Sequence, residues 1–154
     1  MCIRDSTKII LSLSDSFCVE RHRESFLKLI KNYVDIVFCN EFEVLSLFKK
    51  NDLLSCKESI SSICDLVVIT LGSKGSLIIN QGDIKEIKPL ILGKIIDTTG
   101  AGDIYASGFI HGLLNDFSIN KCGELGSLCA GHIITQLGSR SNVNIKNLIE
   151  KNLS

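Results

Sequence analysis

The sequence predicts an α/β fold with a mostly parallel sheet and helices on both of its faces. Short runs that are apolar throughout, VDIVFC at 34–39 and LVVITL at 66–71, read as strands buried on both sides. Between such runs lie segments whose apolar residues keep helical spacing, the alternation expected of a parallel sheet covered by helices. Polar residues or glycines follow the strands, at Asn40, Gly72 and Gly100. Ligands of open α/β sheets bind at these carboxyl ends, so the three loops are expected to share one rim.

At 154 residues the chain is long enough for one domain with a substantial core. Lys plus Arg equals Asp plus Glu at 17 each, so the formal net charge is zero and there is no basic footprint for nucleic acid. No apolar run is long enough to span a bilayer. Seven cysteines, at 2, 18, 39, 56, 64, 122 and 129, form no Cys-x-x-Cys and no zinc spacing. Scattered core thiols in a reducing cytoplasm are the expectation, rather than a disulfide framework. The first six residues, MCIRDS, lack a signal-peptide core and resemble a translated sequencing adapter. Residues 1–6 are therefore expected to be a non-native leader, with 7–154 as the domain.

In chain order, 8–13 reads as a short strand and 14–17 as a polar break. From 20 to 33, Phe26, Leu27, Leu29, Ile30 and Tyr33 form the apolar side of a helix. After the strand at 34–39, Asn40 has the character of an N-cap, with Glu41 and Glu43 in the first turn and Val44, Leu45, Leu47 and Phe48 facing inward. Residues 51–64 read as a loop and short helix. The strand at 66–71 ends at Gly72-Ser73-Lys74-Gly75, and 76–79 and 84–88 flank Asn80-Gln81-Gly82-Asp83 as a hairpin. Pro89 breaks the pattern and 91–96 leads into a glycine motif. The following helix carries Ala106, Gly108 and Gly112, which predict close packing on a neighbour. Ser118 caps the next helix, with Gly138 as its stop, and a last helix covers 145–153.

The chemistry is concentrated in Asp97-Thr98-Thr99-Gly100-Ala101-Gly102-Asp103. Glycine lets backbone N–H groups turn toward a ligand, and the first turn of a helix carries unsatisfied donors and partial positive charge. Together they make an anion seat. The Asp103 carboxylate beside it would repel a resting phosphate. It suits a hydroxyl that loses a proton while attacking phosphorus. The residues thus predict phosphoryl transfer to an alcohol.

The whole string resembles the second signature of the ribokinase-like (PfkB) family of carbohydrate and nucleoside kinases. Asn40-Glu41-Phe42-Glu43 fits that family's Asn-x-x-Glu element, and Thr70-Leu71-Gly72-Ser73-Lys74-Gly75 its Thr-x-Gly-x-x-Gly loop, in the right order. Residues 12–17, 33–41 and 136–140 look most like the adenosine kinase branch. The similarity covers about 8–140 and corresponds to the C-terminal half of a family member. It implies a ribokinase-like three-layer sandwich without its N-terminal half and lid.

The resemblance implies roles residue by residue. Asp103 matches the catalytic base, and Gly100, Ala101 and Gly102 the anion hole. Asn40 lies near the ATP phosphates, with Glu43 organising Mg²⁺ mostly through water. Thr70, Gly72, Ser73 and Gly75 hold the nucleotide, and Ser127 falls beside the adenine. Asp97 and Thr99, with carbonyls at Ile133 and Gly138, match a monovalent-cation site of the kind that takes K⁺. The implied partners are ATP and a nucleoside or sugar, with the natural protein a monomer or homodimer. Two other readings are a sugar kinase of the ribokinase or fructokinase kind, and a nucleotide-binding fragment inactive by itself. An unrelated dinucleotide binder is disfavoured, because no Gly-x-Gly-x-x-Gly follows the first strand. Tyr105 reads as core, His132 as a packed or pocket-edge residue and His22 as part of a solvated helix face, while His111 has no partner visible in the sequence.

Overall fold

Three parallel strands begin the sheet of the computed structural model, which describes residues 7–152. They are β1 (Ile10–Ser12), β2 (Ile36–Asn40) and β3 (Leu66–Thr70), with Ile10 beside Ile36, Val37 beside Val67, and Asn40 beside Thr70. β4 (Ser76–Asn80) and β5 (Asp83–Ile87) complete the order β1-β2-β3-β4-β5. The five-residue link from β3 to β4 is too short for a parallel crossover, and the Gln81 N–H reaches back to the Asp65 carbonyl at 2.7 Å. The sheet is therefore mixed. The expected hairpin joins β4 to β5 through Gln81 and Gly82, at φ of +51° and +87°, the paired positive φ values whose twist suits a two-residue hairpin.

The chain divides into two units, 1–71 with 77–85 and 72–76 with 86–154. In the first, helices α1 (Ser16–Arg21), α2 (Arg23–Tyr33), α3 (Glu41–Phe48) and α4 (Leu53–Ser61) accompany the strands. Their core gathers Leu13, Val19, Ile30, Val44, Leu47, Cys56 and Ile60 with the strand residues Val37, Cys39, Val67, Ile69, Leu77 and Ile79. The alternate strand residues Ile36, Phe38, Val68 and Ile78 are buried as well, which explains why these strands are apolar throughout. The helix expected at 20–33 is two helices. Asp15, taken as part of a polar break, accepts the Cys18 N–H at 2.8 Å and starts α1 early. His22, at φ −115° and ψ 25°, then leaves helical geometry and separates α1 from α2.

The second unit holds α5 (Ala101–Leu114), α6 (Ile119–Ile133) and α7 (Ile145–Lys151). The predicted close packing is between α5 and α6. A Cβ on Gly108 would lie 2.6 Å from the Leu125 carbonyl oxygen, and one on Gly112 would lie 2.8 Å from Cys122 Sγ. Leu125, Leu128, Cys129 and Ile149 form a core of their own. α6 ends at Ile133, five residues before the expected stop. Thr135 turns back onto the His132 carbonyl through both its N–H, at 3.1 Å, and its hydroxyl, at 2.8 Å, closing the helix there. Gly138, at φ +83°, serves a later turn. The expected leader, residues 1–6, lies outside the described residues, as does Cys2. The six described cysteines are free, and five of them are buried. Among the described residues no helix is long and apolar enough to cross a membrane.

Candidate active site

The Asn-x-x-Glu element sits where β2 ends and α3 begins, in the first unit. Asn40 caps the helix, and its Oδ1 accepts the Glu43 N–H at 2.9 Å. Glu43 answers with both oxygens, accepting from the Asn40 backbone N–H at 2.9 Å and its side-chain amide at 2.7 Å. This is a reciprocal capping box. Glu43 is only 5% exposed, and burial pushes its carboxyl above the ordinary range, against the lowering effect of the Asn40 N–H. Thr70, paired with Asn40 across the strands, donates its hydroxyl to the Cys39 carbonyl at 3.4 Å. Two of the three predicted loops therefore start from neighbouring strand ends.

The Gly72–Ser76 segment belongs to the second unit. Gly72–Lys74 is a 3₁₀ turn closed by the Gly75 N–H on the Gly72 carbonyl at 3.1 Å, and Ser73 is exposed on it. Gly75 has φ +93°, and a Cβ there would overlap the Ile87 carbonyl oxygen at 2.1 Å. Around Gly72 the space is open.

The glycine motif forms the start of α5, with Gly100 at the N-cap in a left-handed conformation, φ +76°. No side chain caps this helix. The Ala101 N–H donates to the Thr98 carbonyl at 3.2 Å. First-turn geometry leaves the Gly102 and Asp103 N–H groups without a helical acceptor. Gly102 and Asp103 are exposed, and no heavy atom lies within 4 Å of where a Gly102 Cβ would be.

Asp97 braces this loop. Its Oδ1 accepts the Thr99 N–H and its Oδ2 the Gly138 N–H, each at 2.9 Å. Thr99, through side chain and backbone, and then Gly138 hold the Asp97 carboxyl below the usual carboxylate range. Asp97, Thr99 and Gly138 are thus brought together. The Ile133 carbonyl, at the end of α6, accepts the Gln136 N–H at 3.3 Å. Ser127 is placed elsewhere, on the wall of a cleft of ≈ 520 Å³ with Leu90, Leu128 and Glu124. Its hydroxyl donates to the Lys88 carbonyl at 3.0 Å and accepts the Leu90 N–H at 2.9 Å.

Among the described residues no cluster of three or more His, Cys, Asp or Glu side chains could hold a metal. A lone buried carboxylate with both oxygens already accepting, as Glu43 is, fits magnesium only through water. The sequence reading missed two partners. Ser139 stands against Gly100, where a Cβ would be 2.6 Å from its Cβ. Tyr105, read as plain core, shares a 2.6 Å hydrogen bond with Ser76.

The family of pfkB carbohydrate kinases matches residues 2–146. The chain belongs to this family. Its PfkB relatives include an uncharacterised sugar kinase of Archaeoglobus fulgidus, 32% identical over 80% of this chain and 49% of that protein. A nucleoside kinase of Methanocaldococcus jannaschii is 32% identical over 79% of this chain and 39% of that one. Among solved structures, the adenosine kinase of Sinorhizobium meliloti superposes with a TM-score of 0.90 at 37% identity, over 94% of this chain and 44% of that one. The fold is that of ribokinase-like kinases, and the PfkB homologues are kinases of sugars and nucleosides. The chain spans less than half the length of these relatives.

Proposed function

We propose that the natural protein carrying this chain is an ATP-dependent phosphotransferase that moves the γ-phosphoryl of MgATP to a hydroxyl, with adenosine or a similar nucleoside as acceptor. The observation that carries the reading is the start of α5. An uncapped helix N-terminus, an open Gly102 and an exposed Asp103 carboxylate lie within one turn. The Gly102 and Asp103 N–H groups stabilise negative charge as it shifts on the transferring phosphoryl. Asp103 accepts the proton of the attacking hydroxyl, and catalysis is otherwise positioning. Gly72, Ser73 and Gly75 border the nucleotide, with Thr70 leading into that loop. Ser127 sits beside the base, where it fixes the 88–90 backbone.

Asn40 orients Glu43, which holds waters of the magnesium ion. Bound magnesium supplies charge neutralisation on the phosphates. The Asp97, Thr99, Ile133 and Gly138 oxygens keep lone pairs for a monovalent cation such as K⁺. A sugar acceptor is the second reading, supported by the sugar kinase relative.

The test is ADP release by the natural protein with adenosine, ribose and fructose in turn. Turnover with adenosine supports the first reading, and turnover with a sugar alone supports the second. No turnover with any of them sinks both. Asp103→Asn is expected to cut turnover by roughly 10²- to 10⁴-fold while MgATP affinity stays within about threefold. Near-normal turnover would remove Asp103 from its role.

A further inference from the structure

We propose that the buried hydrogen bond between Tyr105 and Ser76 is a positioning link for phosphoryl transfer, holding the Gly72–Gly75 loop in register with the first turn of α5. This rests on the kinase reading. Tyr105 follows Asp103 by two residues, and Ser76 directly follows Gly75. The two hydroxyls meet at 2.6 Å with Ser76 2% and Tyr105 4% exposed. Phenylalanine would fill the same volume, so what the hydroxyl adds is a bond of fixed length and direction.

The bond is one side of a closed ring within the second unit. The Tyr105 ring lies against α6 at Gly126, where a Cβ would fall 2.8 Å from two ring carbons, and stacks toward Phe109 with centroids 6.5 Å apart. The next residue on α6, Ser127, holds the backbone at Lys88 and Leu90 through its hydroxyl. That segment in turn presses on Gly75, whose Cβ would sit 2.9 Å from the Pro89 nitrogen. Gly75 leads back to Ser76. The loop that borders the nucleotide is thereby tied to the helix that carries Asp103 by a bond on one side and by packing on the other. Burial pushes the Tyr105 hydroxyl up to about 12, so the link stays neutral over the working range and adds no pH dependence of its own.

Removing one hydroxyl leaves its partner buried and unsatisfied, while each binding element keeps its own donors. Tyr105→Phe and Ser76→Ala, made in the natural protein, are therefore each expected to lower kcat about tenfold with KM for MgATP within about twofold. The double variant is expected to lose no more than either single one, because one bond is removed in all three. Gly126→Ala, which displaces the ring and keeps the hydroxyl, is expected to give the same kcat-weighted loss. A non-hydrolysable MgATP analogue should slow amide hydrogen exchange at 72–75 and at 101–104 in the wild type, but only at 72–75 in Tyr105→Phe. A purely structural bond would lower the melting temperature, leave kcat and KM unchanged well below it, and leave both segments protected; that pattern overturns the proposal. A wild type with neither turnover nor protection by the nucleotide overturns the kinase reading and the link with it. Turnover in the wild type matched by all four variants overturns the link alone.

Discussion

Replacing Gly100 by alanine separates what the glycine motif does for the fold from what it does for a ligand. Gly100 has φ +76°, and its missing Cβ would lie 2.6 Å from Ser139 Cβ and 3.3 Å from Ser139 Cα. Alanine in the left-handed region costs about 1–2 kcal/mol. Overlap with a neighbour so close to the backbone adds roughly 1–3 kcal/mol, because Ser139 is held nearby by the Asp97–Gly138 bond. The expected loss is therefore about 2–5 kcal/mol, or roughly 5–15 °C in melting temperature for a chain of this size. Gly102→Ala is the control. It lies in the first turn of α5 with nothing within 4 Å of its Cβ position, so stability should hold or rise by up to about 1 kcal/mol. Its methyl group would stand where the anion is expected, so MgATP affinity should fall. Urea melts of both variants, with Gly100→Ala/Ser139→Gly as a partial rescue, read these terms. A Gly100→Ala variant within about 0.5 kcal/mol of wild type would refute the reasoning, as would equal destabilisation by Gly102→Ala.

Other perturbations address the groups around this motif. Asp97 is held below its ordinary pKa, so its contribution to stability is present above about pH 4 and is lost as pH falls through the lowered folded value. The stability gap between wild type and Asp97→Asn, followed by urea midpoints, should therefore close in acid; a gap independent of pH would contradict the assignment. Glu43 is displaced the other way. The native state binds more protons than the unfolded chain between the ordinary carboxylate value and the raised one, so stability falls as pH rises through that window. Glu43→Gln should flatten that slope, and an unchanged slope would assign it to another group. Among the six described cysteines Cys18 is half-buried while burial raises Cys39, Cys56, Cys64, Cys122 and Cys129, with Cys129 pushed up to about 11. Mass-mapped alkylation of the native protein should label Cys18 first among them, and early labelling of Cys129 would contradict the packing of α6.

The features legible in the sequence are those set by neighbours along the chain. The apolar runs of β2 and β3, the Asn40 capping box and the Gln81–Gly82 hairpin each depend on a few adjacent residues. The misread boundaries depend on competition between local signals. Asp15 can end a strand or start a helix, and only its bond to Cys18 shows which it does. Gly138 has the positive φ typical of a helix-ending glycine, but it serves the turn that reaches Asp97 and not the end of α6. What no local pattern shows is pairing across distance. Ser76 and Tyr105 lie 29 residues apart, and Ser127 and Leu90 lie 37 apart. A tyrosine with apolar neighbours reads as core from periodicity alone, and Tyr105 is core; its hydroxyl acquires meaning only with Ser76 opposite.

The loop at 97–103 is braced by contacts within the protein. The Asp97 carboxylate spans from Thr99 to Gly138, Ser139 fills the side of Gly100, and the Ala101 N–H is committed to Thr98. Donors held in place by such bracing need little reorganisation when charge moves, which is where electrostatic stabilisation of a transition state gains most. The commitment of Ala101 also has a consequence for how many donors point outward. A loop using all three residues of Gly100-Ala101-Gly102 would have to break the Thr98 turn on binding, whereas one using Gly102 and Asp103 needs no such change. The second arrangement places the donors on the same helical turn as the Asp103 carboxylate, so under the proposed reading α5 alone would carry both the charge-stabilising groups and the base.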